Sequence, residues 1–145
     1  MNKRIFLSLM LVVVTGCSST GSRNADREMA KYEAAATAYK NGELSIAEER
    51  YRQLVEQRPE YGEGWFKLGN IYVRTGQYDA AANMYKKAAQ INPEDAKVWN
   101  NLALAHIKKA VAVLDEGARR VQQGGADQRN ILVLRERIVK SVLVE

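Results

Sequence analysis

Residues 62–95 read GEGWFKLGNIYVRTGQYDAAANMYKKAAQINPED, and the spacing within this stretch decides the fold. Trp65, Leu68 and Tyr72 recur at intervals of three and four, so they share one face of a helix. Ala81, Tyr85 and Ala88 do the same on a second helix. Gly76 stands between the two faces, where a tight turn needs a residue that tolerates positive φ. Pro93 stops the second helix, because it has no amide hydrogen and clashes with the preceding turn. Gly69 and Ala81 carry almost no side chain, so two backbones can approach closely while the large rings fill the flanks.

The pattern recurs with a period of 34. One period back stand Gly42, Leu44, Ala47, Tyr51, Leu54 and Pro59, with the small Ala34, Ala35 and Ala38 ahead of them. One period forward stand Trp99, Leu102, Ala103 and His106. The 34-residue period and the W-x2-L-G-x2-Y opening resemble the tetratricopeptide (TPR) repeat. The resemblance implies an all-α solenoid of about three helix–turn–helix repeats, at 28–61, 62–95 and an irregular 96–129, with a C-terminal capping helix in 130–145. Helices are expected near 27–40, 44–57, 62–74, 78–91, 96–108, 111–123 and 129–143.

The third repeat departs from the pattern. Ala110 occupies the place of the turn glycine, and Leu114, Ala118 and Val121 restore the second-helix spacing one residue early. A one-residue deletion in the turn would keep two helices; a single long bent helix over 96–123 is the alternative. Beyond it, Ile131, Leu134, Ile138 and Val142 form a stripe at helical spacing, with Asp127 or Asn130 available as cap. A repeat stack leaves its last apolar edge open, and such a helix would cover it. Leu132, Val133, Val139 and Leu143 fall outside the stripe and could instead form a docking face.

The N-terminus has a different character. Lys3 and Arg4 precede Ile5 to Val14, a run that is apolar apart from Ser8. As a helix it would cover about 15 Å, roughly half the hydrocarbon thickness of a bilayer, so it reads as a signal segment and not a span. Val14-Thr15-Gly16-Cys17 follows and resembles the lipobox of bacterial lipoproteins. That resemblance implies a signal peptide over 1–16 and lipidation at Cys17, the only cysteine in the chain. A diacylglycerol with an amide-linked acyl chain is sufficient for stable anchoring. Ser18 beside it implies export to the outer membrane in a Gram-negative cell, with the folded part facing the periplasm. Residues 17–27, which include Ser18-Ser19-Thr20-Gly21-Ser22, read as a flexible tether with a reach of roughly 16–18 Å.

Removing 1–16 takes away two basic residues and no acidic ones, which lowers the net charge from +5 to +3. So small an excess, in an extracytoplasmic chain, argues against a nucleic-acid partner. No set of His, Cys or carboxylates has metal-ligand spacing, and no nucleophile motif or phosphate-cradling loop is present. The reading is therefore of a non-enzyme with no catalytic residues, metal or cofactor. His106, the single histidine, takes the place of Tyr72 and is expected to pack in a helix interface.

In TPR proteins the first helices of successive repeats line a concave groove. Carried onto this chain, that face holds Tyr32, Tyr39, Phe66, Lys67, Asn70, Arg74, Asn100, Asn101 and Lys108. Phe66 and Asn70 also fall off the Trp65–Leu68–Tyr72 packing face, so they must point elsewhere. Phe66, taken as exposed and flanked by Tyr32 and Tyr39, would anchor a protein partner, and the asparagines would bond its backbone. Lipobox, short tether and TPR array together are similar to the pilotin lipoproteins of type IV pilus systems and to the TPR lipoprotein of tight-adherence (Tad) pilus systems. These imply a protein partner such as a secretin or another pilus component, and a membrane-anchored adaptor role. An envelope structural protein that self-associates through its C-terminal helix is the alternative.

Overall fold

The computed structural model describes the chain over residues 20–143, all of it helix and connecting turn. The expected signal segment, 1–16, and Cys17, the expected lipidation site, lie outside the described residues. Six α-helices follow in order: α1 (Thr20–Asn41), α2 (Leu44–Gln57), α3 (Gly62–Arg74), α4 (Tyr78–Ile91), α5 (Ala96–Arg120) and α6 (Ala126–Ile138). A π-helical turn, Val139–Leu143, extends α6. Among the described residues no helix is long and apolar enough to cross a membrane.

The turns follow from their glycines. Gly42 and Gly76 have φ of 80° and 76°, the left-handed region that glycine enters without a Cβ clash. The same two bonds close both turns: Glu43 N–H to Ala38 O and Gly42 N–H to Tyr39 O, then Gln77 N–H to Tyr72 O and Gly76 N–H to Val73 O. This is the Schellman arrangement, which uses up carbonyls left free at a helix end. Each proline joint also recurs, since Trp65 Nε1 donates to Pro59 O and Trp99 Nε1 to Pro93 O, both at 2.8 Å.

Helices α1, α2 and α3 enclose one core of Ala35, Ala38, Ala47, Tyr51, Leu54, Val55, Leu68 and Ile71. Ala81, Ala82, Tyr85, Ala88 and Ala89 of α4 meet Val98, Leu102 and Ala105 of α5 in a second. Trp65 and Tyr72 pack against both cores and join them. A Cβ built on Gly69 would lie 2.4 Å from the Tyr85 ring, so α3 and α4 can touch here only because residue 69 has none.

The structure alters four expectations. Residues 20–27, expected as part of a flexible tether over 17–27, are helical, because α1 already begins at Thr20. An alanine-rich stretch without proline lets the helix propagate back toward the N-terminus. In the third repeat the two-helix reading is replaced by one 25-residue helix, α5. Alanine at 110 would be strained by about 1–2 kcal/mol in the left-handed turn conformation and is the best helix former, so the helix continues.

His106 is consequently exposed and not packed, since no second helix of the third repeat folds back over it. Finally, α6 turns a different face inward. Ile131, Arg135 and Ile138 are partly buried, whereas Leu134 and Val142 of the expected stripe are 50% and 45% exposed. Two polar contacts fix that rotation: Arg135 Nε donates to Asp115 Oδ1 at 2.5 Å, and Gln128 Nε2 to Ala118 O at 3.0 Å. Of the alternative docking set, Leu132 and Val133 are exposed and Val139 is partly buried.

Candidate protein-binding groove

The first helices of the repeats, α1, α3 and the N-terminal half of α5, lie on one side of the molecule. The expected groove residues distribute over three places on it. Tyr39, Asn70, Arg74 and Asn101 come together, with Val73, Tyr85 and Leu104, around a depression of about 290 Å³. Phe66 lies farther along α3 in a separate cleft of about 280 Å³, with Gly62, Glu63, Ala88, Ile91, Asn92, Asp95 and Val98. Tyr32 belongs to neither. Its ring meets Tyr61 edge-on at 4.6 Å, and its hydroxyl accepts from Arg58 Nη1 at 2.9 Å, at the joint between the first two repeats.

The depression has a polar floor. Tyr85 is 1% exposed, and its hydroxyl donates to Asn70 Oδ1 at 2.7 Å. Asn101 Nδ2 donates to the same oxygen at 3.0 Å. Burial pushes the Tyr85 phenol up to about 12, so it remains a donor at any physiological pH. With Asn70 Oδ1 occupied twice, its Nδ2 and the Asn101 oxygen have no hydrogen-bond partner among the described residues. One donor and one acceptor therefore face the groove, the pair that a peptide unit of an extended chain can satisfy.

Cations stand along the same face. Arg74 and Lys67 approach the Tyr39 ring at 5.2 and 5.7 Å, and Lys67 also pairs with Glu63 at 3.1 Å. Arg74 makes one long bond, to Tyr39 O at 3.5 Å, and no ion pair among the described residues. Lys108 lies one turn beyond Leu104 and does not line the depression, and Asn100 is exposed beside Trp99.

Phe66 requires a correction. It is half-buried, not exposed: its ring centroid lies 5.7 Å from that of Tyr85, and it packs on the second core. The cause lies in α4 and α5: Ala88 of the same repeat and Val98 from across the repeat joint belong to the core on which it packs. Its truncation will therefore affect stability as well as any contact with a partner. Sequence reasoning assigned Tyr85 to the core alone; a hydroxyl on a core ring was the available signal that it would also seek a polar partner on the next face.

Comparison with known proteins agrees with this geometry. The TPR-repeat family model matches residues 69–109. The TPR domain of Sgt2 from Aspergillus fumigatus superposes with a TM-score of 0.55 over 79% of this chain and 80% of that one, at 21% identity. The chain is a TPR-repeat protein. A TPR repeat-containing protein of Schizosaccharomyces pombe is 32% identical over 100 residues, which are 69% of this chain and 12% of that protein. The photosystem I assembly protein Ycf3 of Prochlorococcus marinus is 30% identical over 103 residues, 69% of this chain and 56% of that one. The chain thus spans an eighth and about half the length of these relatives. The TPR fold is a protein–protein interaction module, and it is typically non-catalytic.

Proposed function

We propose that this TPR-repeat protein is a membrane-anchored adaptor that binds an extended segment of a protein partner in the groove of α1, α3 and α5. It acts by binding and not by catalysis, takes no nucleic acid, and serves an envelope complex of the pilus- or secretin-assembly kind. The observation that carries the groove assignment is the Tyr85–Asn70–Asn101 arrangement, which leaves one donor and one acceptor unpartnered in a depression lined by Val73 and Leu104. Ycf3 is by its name an assembly protein, which fits an adaptor role. The anchor rests on Val14-Thr15-Gly16-Cys17 alone. With Ser18 beside Cys17, the reading is of a protein held at the outer membrane of a Gram-negative cell, facing the periplasm.

Two experiments test this reading. Cys17→Ser should abolish acyl labelling and leave the precursor uncleaved; a processed variant that still fractionates with outer membranes refutes the anchor. A photo-crosslinking residue at Leu104 should capture a partner in cells, and Asn70→Ala should remove that product. The second reading, self-association through α6, draws on Leu132 and Val133, which are 43% and 48% exposed. Crosslinks from Leu132 to a second copy, with none from Leu104, would decide for it.

A further inference from the structure

Helix α5 repeats the face that α3 turns toward its own second helix, and on α5 that face is bare. Trp65, Gly69 and Tyr72 of α3 are covered by α4, whose Tyr85 ring lies against Gly69 and whose Lys87 stands over Trp65. One period on, Trp99, Ala103 and His106 are exposed, although Trp99 keeps the same indole bond and Ala103 keeps a small side chain. The stripe continues through Ala110 and Val113, both exposed, Val113 to 60%. These five residues are spaced by four, three, four and three, over about 21 Å of helix. None is an acid, a lysine or an arginine, whereas a helix face meant for water normally carries such residues. Helix α6 packs beside the following turn instead, where Ile131 lies over Gly117 and Gln128 bonds Ala118.

We propose that this stripe is a self-association surface, on which α5 of a second copy lies antiparallel in place of the second helix that the third repeat lacks. Three features select a second copy. The cover of α3 is an antiparallel helix, and a two-fold axis across one helix supplies an antiparallel helix. The stripe also reads alike in both directions: Trp99 and Val113 stand seven residues to either side of His106, and Ala103 and Ala110 three and four. Antiparallel pairing about His106 therefore sets the Trp99 ring against Val113 of the second copy. Near the centre it sets alanine beside alanine, where small side chains let two backbones approach closely. Finally, with no acid, lysine or arginine in the stripe, two identical faces meet without like-charge repulsion along it. The proposal does not rest on the groove reading. Asn101, in the floor of the depression, is two residues from both Trp99 and Ala103, hence about 160° round the helix from each, and the depression stays open.

The test uses the full-length chain. A photo-crosslinking residue at Val113 should give a product of twice the mass, joined to the stretch around Trp99 of the second copy. Sedimentation in density-matched detergent should show a reversible dimer. His106→Glu puts two carboxylates at the axis, and Ala103→Glu puts them beside it. Each should raise the dimer dissociation constant at least about tenfold. Melting of the dilute chain should be unchanged in both, because both positions are exposed in a single copy. Leu132→Glu, on α6, should leave the dimer intact. A chain that stays monomeric to about 100 μM overturns the proposal. Crosslinks from Val113 to a different protein overturn it by naming another cover, and crosslinks to the stretch around Val113 of the second copy overturn the antiparallel pairing. A dimer broken by Leu132→Glu and not by His106→Glu moves the surface to α6. Unfolding of both glutamate variants would show the stripe to be packed within one copy, which also refutes the proposal.

Discussion

Trp65 and Trp99 stand one period apart, and their indole nitrogens make the same 2.8 Å bond to a proline carbonyl six residues earlier. Their surroundings differ. Trp65 packs against both cores and carries Lys87 over its ring at 4.0 Å, while Trp99 is 50% exposed. The cause lies one turn glycine away. Gly76 lets α4 fold back across α3; Ala110 lets α5 continue instead, and Trp99 and His106 stay exposed. The first four helices and the N-terminal half of α5 therefore close two cores. The C-terminal hairpin of α5 and α6 is held by partly buried contacts, and α6 buries no residue fully. A local pattern can be copied intact while the cover it needs is lost through a single residue elsewhere.

The largest expected effect sets the two regions against each other directly. Leu54 is 2% exposed and Leu132 is 43% exposed. Leu54→Ala should cost about 2–5 kcal/mol in urea unfolding. Leu132→Ala should stay within about 0.5 kcal/mol. Comparable losses would mean that α6 belongs to the core after all.

Glycine to alanine should change sign between the regions. A methyl at Gly69 meets the Tyr85 ring at 2.4 Å, and Tyr85 is held by its bond to Asn70, so Gly69→Ala should destabilise by about 1–3 kcal/mol. At Gly117 a methyl finds only Ile131 at 3.7 Å, an ordinary contact inside a helix. Gly117→Ala should raise the melting temperature, stabilising by about 0.5–1 kcal/mol through helix propensity and a less flexible unfolded chain. A stabilising Gly69→Ala would reject the close α3–α4 approach.

Ala110→Gly sharpens the account of the third repeat. Inside a continuous helix it should cost about 1 kcal/mol. If residue 110 were a left-handed turn like Gly76, the same change would stabilise, and the continuous α5 would be refuted. Smallest of all, Asp115 and Arg135 are each a little over a third exposed, so their coupling in a double-mutant cycle should be about 0.2–1 kcal/mol and fall with salt. Coupling well above that range would make the hairpin a rigid unit instead of a loosely held appendage.

Much of this was legible beforehand. The bounds expected for α2, α3 and α4 coincide with those observed, because apolar spacing, turn glycine and joint proline all agree there. Of the groove set, Tyr39, Asn70, Arg74 and Asn101 do converge, since first-helix positions repeated every 34 residues are stacked by the solenoid itself. Phe66 and Tyr32 were misplaced because their neighbours come from beyond their own helices: Tyr85 and Ala88 of α4 and Val98 of α5 for the one, Arg58 and Tyr61 of the proline joint for the other. In α6 the apolar residues alone suggested a stripe, but Arg135 and Gln128 chose the face.

The residues by themselves determined what depends on local backbone chemistry: helix periodicity, the left-handed turns at Gly42 and Gly76, and the repeat of 34. Tertiary structure alone decided which side chains meet across helices separated in the chain. It set Tyr85 beneath Asn70 and Asn101, covered Phe66, left Trp99 bare and rotated α6. The division has a physical origin. Turn and helix preferences are fixed within a few residues of chain, whereas burial and hydrogen-bond partnership depend on atoms brought close only when the repeats stack.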